Sequence, residues 1–234
     1  MSVESEYFFS FKQNKLLQCF PETSETVTYP DGLLVAGGSL NESTLIEAYT
    51  KGIFPWGEDS GLPLWWAPDP RAVLFPEELK ISKSLSKIIK KNVFRVTFDR
   101  EFDTVISACG PDRNEATWIS PGILNAYTKL FNQGRAHSVE CWFEGEVCGG
   151  LYGVTIGQVF FGESMYSKKR DASKVALVFL CDRLRQWGYQ IIDCQVNSEH
   201  LVKLGAKTLP KYIFEDLLNE YIKSSPSDAA WRVL

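Results

Sequence analysis

Two short stretches hold side chains able to do chemistry, and a third holds charge. In IIDCQV (residues 191–196), Asp193 and Gln195 stand two apart, directly after two isoleucines. Strand alternation puts both on one face and Cys194 on the other. Polar side chains there either hold structural partners, such as a helix end or loop amides, or form a carboxylate that orients an amide at a cleft. In FFGES, Glu163 follows two phenylalanines and Gly162, which lets another backbone or a ligand come close. Its simplest partner is one of Lys168, Lys169 and Arg170, five to seven residues on. Phe160, Phe161 and Met165 beside it, with Leu177, Leu180 and Leu184 at helical spacing, form either core or the wall of an apolar pocket.

The elements that must position these residues can be read from period and punctuation. YPDGLLVAGGSL is turn-rich, and NESTLIEAYTKG is a short helix capped by Asn41 or Ser43 and stopped by Gly52. From Ile53 to Pro76, five prolines and two glycines forbid a long regular element, so this stretch reads as the crossing between lobes. ISKSLSKIIKKNVFR is a helix running into a strand, with Ile81, Leu85 and Ile88 on one face and Lys83, Lys87, Lys90 and Lys91 on the other. Lys80 to Arg95 carries six positive residues and no acid, which suits a solvated face or an anion-binding one.

Helical patterns follow at 99–109 and at 121–134, the second with Ser120 as cap, Pro121 in the first turn and Gly134 as stop. HSVECWF, EVCGGLYGVTI and QVFFGES then read as an antiparallel meander. A long helix between Asp171 and Gly188, a buried strand at YQIIDCQV and two further helices complete an α+β order.

Composition narrows the class. A chain of 234 residues has ample core, and its net charge of −4 makes any nucleic-acid binding a matter of local patches. It has no apolar run of 18 residues and no secretory start, so no membrane span is expected and the reading is cytoplasmic. Six cysteines without a CxxC pair, beside two histidines, suit buried reduced thiols better than zinc. Seven tryptophans exceed what the core needs and suggest stacking surfaces.

GIFPW (52–56), WWAPDPRAVL (65–74), TWI (117–119), GESMYS (162–167), DASK (171–174) and IDCQV (192–196) occur in this order. Together they resemble the leucyl/phenylalanyl-tRNA–protein transferase family, over about residues 30–212. The resemblance implies a small N-terminal domain (1–69) and a GNAT (acyltransferase)-like C-terminal domain (70–234). It also implies transfer of Leu or Phe, and Met less well, from aminoacyl-tRNA to proteins beginning with Arg or Lys, marking them for N-end-rule degradation. No metal or other cofactor is expected, and a monomer is the default.

By the same resemblance Asp193 polarises Gln195, which contacts the incoming amine, and Glu163 is a nearby site acid. Leu151, Phe160, Met165, Leu177, Leu180, Leu184 and Ile192 form the side-chain pocket. Trp56 and Trp118 meet the terminal adenosine, and Trp65 and Trp66 build the domain junction. Lys83, Lys87, Lys90 and Lys91 then face acceptor-stem phosphates, with Lys168, Lys169 and Arg170 as a second RNA contact. One departure is QVNSEH, where Ser198 stands at the family's asparagine place and Asn197 one earlier. Either Ser198 substitutes through its hydroxyl or Asn197 caps the next helix.

Two other functions compete. An acyl-CoA N-acetyltransferase needs a [QR]xxGx[GA] loop before the long helix, and MYSKKRDASK lacks those glycines. A non-catalytic RNA-binding module would leave Asp193 and Gln195 idle.

Overall fold

A computed structural model describes residues 19–27, 31–110 and 119–232. The proline-rich crossing is the main departure from expectation, because it holds three strands. β1 (Leu33–Ala36) and helix α1 (Glu42–Thr50) precede it, and Asn41 caps α1 by accepting the Thr44 N–H at 2.9 Å. β2 (Phe54–Asp59), β3 (Leu62–Trp66) and β4 (Arg71–Leu74) follow. Each is short, and Pro55 and Pro63 stand second in their strands, where a missing N–H is tolerated. β1, β3 and β2 make an antiparallel sheet, while β4 leaves it and enters the main sheet.

The lysine-rich segment forms α2 (Lys83–Lys90) and β5 (Arg95–Phe98), as its pattern requires. Ile81 lies before the helix and is exposed, so Leu85 alone of the three apolar positions is fully buried. α3 (Phe102–Cys109) and α4 (Pro121–Asn132) lead into the meander β6 (Ala136–Phe143), β7 (Glu146–Ile156) and β8 (Val159–Ser167). Then come α5 (Ala172–Trp187), β9 (Ile191–Gln195), α6 (Glu199–Lys203), β10 (Lys207–Leu209) and α7 (Lys211–Tyr221). Asp171 opens α5 in the left-handed region without capping it; the Ser173 N–H donates to Ser167 Oγ instead.

The seven-stranded sheet runs β10-β4-β9-β8-β7-β6-β5. Every neighbouring pair is antiparallel except β8–β9. One face packs on α5 through Leu151, Phe160, Leu180, Leu184 and Ile192. The other carries α3, α4, α7 and the N-terminal sheet in a second core that includes Tyr49, Phe54, Trp65, Tyr127, Phe161 and Phe214. The six cysteines are free; four are buried, but Cys19 is exposed, against expectation. Among the described residues no helix is long and apolar enough to cross a membrane.

β8 and β9 pair over three positions, Val159–Ile191, Phe160–Ile192 and Phe161–Asp193, and then part. Each strand bulges at the parting. Glu163 has no partner between the Gly162–Gly153 and Ser164–Tyr152 pairs, and Cys194 has none between the two β4–β9 pairs of Asp193 and Gln195. Bulges re-aim side chains out of the regular alternation. Gly153 allows this one: a Cβ there would overlap the Phe161 carbonyl oxygen and the Phe160 ring. Gly153→Ala should therefore destabilise the fold by about 1–3 kcal/mol, read as a lower urea midpoint with an unchanged slope.

Candidate active site

The parting of β8 and β9 brings Glu163 and Gln195 together. Gln195 Nε2 donates to Glu163 Oε1 at 3.0 Å. It reaches there because Gln195 takes φ +63°, a left-handed conformation costly for a non-glycine residue. This corrects the simple alternation, since the Gln195 amide joins the wall that Ile192 and Cys194 line while Asp193 points to the opposite core.

Asp193 does not touch the Gln195 side chain. Its Oδ1 accepts the Gln195 main-chain N–H at 2.9 Å, two residues on. Both its oxygens are also held by Arg71, with Nε donating to Oδ1 at 2.8 Å and Nη2 to Oδ2 at 2.6 Å. The pair is sealed from solvent, at 1 % and 0 % side-chain exposure. The guanidinium lies between the rings of Phe54 and Phe214, 4.8 and 4.7 Å from their centres. The expected role of Asp193, polarising the Gln195 amide, is replaced by fixing its backbone.

Glu163 pairs with none of the basic triplet. Tyr49 Oη donates to its Oε1 at 2.7 Å and Tyr127 Oη to its Oε2 at 2.9 Å, and the two phenols also meet each other. These three contacts close a ring that two hydroxyl protons cannot fill. The third proton exists only when the carboxyl is itself protonated. Burial pushes the Glu163 carboxyl up to about 7, and the Asp193 charge adds to this, against the hydrogen bonds from both tyrosines and Gln195 that favour the ion. Burial and the Glu163 charge hold both phenols well above the ordinary tyrosine range. Glu163 therefore exists in both protonation states near neutral pH.

The pair ends an apolar pocket of about 140 Å³, and Leu151, Phe160, Met165, Leu177, Leu180 and Ile192 line it as expected. Leu184 does not line it but lies buried in the core behind. Ser198 is not in the wall either: its hydroxyl caps α6 by accepting the Leu201 N–H at 3.3 Å, the role expected of Asn197. Trp56 is exposed on β2, outside the pocket, with its ring 5.3 Å from that of Trp66. Trp65 is buried, its Nε1 donating to the Gly37 carbonyl. Trp118 lies outside the described residues.

Lys83, Lys87, Lys90 and Lys91 are exposed, and no acid among the described residues pairs with them. Of the triplet, Lys168 projects to solvent, Lys169 Nζ sits 3.1 Å over the Phe143 ring and Arg170 leans on Asp171. Among the described residues no three His, Cys, Asp or Glu side chains gather as a metal site.

A buried acid and amide thus stand at the end of an apolar slot, between parting strands. The profile of the leucyl/phenylalanyl-tRNA protein transferase family matches residues 73–219, and that of its N-terminal domain residues 38–69. The chain belongs to this family. It is accordingly a transferase with an α+β fold. Relatives of that name include one from Methylococcus capsulatus, 48 % identical over 92 % of both chains. Another, from Syntrophobacter fumaroxidans, is 52 % identical over 86 % of this chain and 87 % of its own. Solved structures match less well. A conserved protein of unknown function from Bacteroides thetaiotaomicron aligns over 58 % of this chain and 53 % of its own at TM-score 0.44 and 14 % identity. A GCN5-related N-acetyltransferase from Kribbella flavida aligns over 73 % and 61 % at TM-score 0.36 and 11 % identity.

Arg71, Tyr49 and Tyr127 are the site residues that sequence reasoning passed over. Arg71 stood inside a quoted motif, and an arginine opening the apolar run RAVLF was its one signal.

The Glu163 carboxyl sets a pH dependence. Folded, it holds its proton to about pH 7, whereas the unfolded chain releases it near 4.5. Between those values the native state binds more protons, so its contribution to stability is full below 4.5 and is lost as pH rises through 7. Unfolding free energies of wild type and Glu163→Gln across pH 4–8 should show the variant gaining on wild type with rising pH, by on the order of 3 kcal/mol.

Proposed function

We propose that the chain moves leucine or phenylalanine, and methionine less readily, from the 3′ end of aminoacyl-tRNA to the α-amine of proteins beginning with Arg or Lys. The single observation that carries this is the Glu163–Gln195 pair closing an apolar pocket of about 140 Å³. Family membership supports the donor, and the pocket supports the transferred side chain. Charged side chains are rejected there by desolvation, while one methylene discriminates only weakly. In this reading the products are marked for N-end-rule degradation, and the enzyme is a cytoplasmic monomer needing no cofactor.

The sheet is read as acyltransferase-like, with the donor ester seated where β8 and β9 part. The chain works as two lobes, 1–69 and 70–234. The acceptor α-ammonium gives one proton to the Glu163 carboxylate, and the freed nitrogen forms a bond to the ester carbon and passes its second proton to the neighbouring ribose hydroxyl or water. The carbon–oxygen bond to ribose breaks, and the ribose oxygen leaves with a proton from its neighbouring hydroxyl or water. Gln195 holds the amine in line. Arg71 and Asp193 hold Gln195. Trp56 and Trp118 are assigned to the terminal adenosine, and Lys83, Lys87, Lys90 and Lys91 to acceptor-stem phosphates. With Lys169 on Phe143, the second RNA contact rests on Lys168 and Arg170.

Labelled Leu-tRNA incubated with a protein beginning with Arg should yield labelled protein; acetyl-CoA as sole donor should yield none. Labelled protein from acetyl-CoA, or tRNA binding without transfer, would overturn the assignment. Asp193→Ala and Gln195→Ala should each lower turnover by about 10²-fold or more while charged-tRNA binding persists. Near-normal turnover in either sinks the positioning role. Reversing the four lysine charges should raise KM for charged tRNA and flatten its salt dependence.

A further inference from the structure

A second cleft, away from the apolar pocket, has no part in the mechanism above. It measures about 610 Å³, within the range of sites that hold a ligand of drug or nucleotide size. Its wall is made of cations and indoles: Arg95, Arg100, Arg183 and Arg232 with Trp142, Trp187 and Trp231. In a chain of net charge −4 this is a strong local concentration of one sign. The two acids in the wall have other partners. Asp99 holds His137 and the Ser138 N–H, and Glu101 accepts from Thr104. No acid among the described residues lies within ion-pair distance of Arg95, Arg183 or Arg232.

The cleft is continuous with features already placed. Phe179 on α5 lines both this cleft and the groove that Ile81 and Ile89 line beside α2, the lysine helix. Trp231 at its inner wall stacks on Phe160, a wall residue of the apolar pocket, at 5.9 Å. β5 at its edge lies three strand spacings from β8, roughly 14 Å. A guanidinium fork matches phosphate geometry and indole faces stack bases. Arg95 already lies 4.8 Å over the Trp142 ring, so the two present one mixed cationic and aromatic surface.

We propose that this cleft binds the tRNA donor away from its aminoacyl end, taking backbone phosphates on Arg95, Arg183 and Arg232 and a base against the Arg95–Trp142 stack. The inference rests on the reading that the donor is tRNA. The test compares two donors, full-length Leu-tRNA and a minimal leucyl-adenosine that reaches only the apolar pocket and the tryptophans assigned to the adenosine. Arg95→Gln combined with Arg183→Gln should raise KM for Leu-tRNA about tenfold or more and lower the slope of log Kd against log salt by about 2. Trp142→Ala should weaken tRNA binding about tenfold. Turnover of leucyl-adenosine should stay unchanged in both variants, and the thermal midpoint in the arginine variant.

An unchanged KM for Leu-tRNA overturns the proposal, as does an equal loss with both donors. Tryptophan quenching by free AMP without any change in tRNA binding overturns it in favour of a small-anion site. A KM change confined to an acidic acceptor protein overturns it in favour of a protein contact. If wild type transferred from neither donor, the transfer reading would fail alone, because anisotropy with uncharged tRNA still tests the cleft.

Discussion

The site depends on one buried ion pair, Arg71 with Asp193. Removing two charges from water costs several kcal/mol each, and only close bidentate geometry supported by further hydrogen bonds offsets that. Here the geometry is met: two guanidinium donors on two carboxylate oxygens, a main-chain N–H on one of them, and a phenylalanine ring on each face of the guanidinium. Those partners come from β4, β9, β2 and α7, so the pair ties both sheets to the C-terminal helix. Breaking such a pair from one side leaves a bare buried charge, typically a loss of about 3–5 kcal/mol.

Its second effect is electrostatic. Arg71 is paired with Asp193, and no ion pair reaches Glu163 among the described residues. Glu163 instead feels burial and a neighbouring negative charge, both of which favour its neutral form. The tyrosine ring adds a proton count to the same balance, because its three contacts are filled together only when the carboxyl carries a proton. A carboxyl poised near neutrality beside an apolar slot thus follows from where a different carboxylate is anchored.

The periodic parts of the chain were legible in the sequence. The meander, α4 with its Ser120–Pro121 start, and α5 ending at Gly188 all stand where apolar period and turn residues put them. Six of the seven pocket residues carried over by resemblance are in the wall. What escaped depends on contacts between distant segments. Proline content argued against strands at 54–66, but edge and near-terminal positions tolerate it, and pairing decides. Tyr49 and Tyr127 stand among apolar residues of their helices, and only the bulge at Glu163 brings a carboxylate to them. Alternation failed at Gln195 because a hydrogen bond from its own backbone to Asp193, itself anchored by Arg71, supports a left-handed residue.

That last point changes how the Asp193–Gln195 pair should be understood. A spacing of two in a strand suggested side chains acting on each other. In the structure each oxygen of Asp193 is occupied by groups that never meet a substrate, and its side chain lies on the opposite side of the sheet from the pocket. A substitution at Asp193 therefore acts first on the geometry of Gln195. The titrating group at the pocket is Glu163, and the carboxamide of Gln195 links it to the ion pair behind.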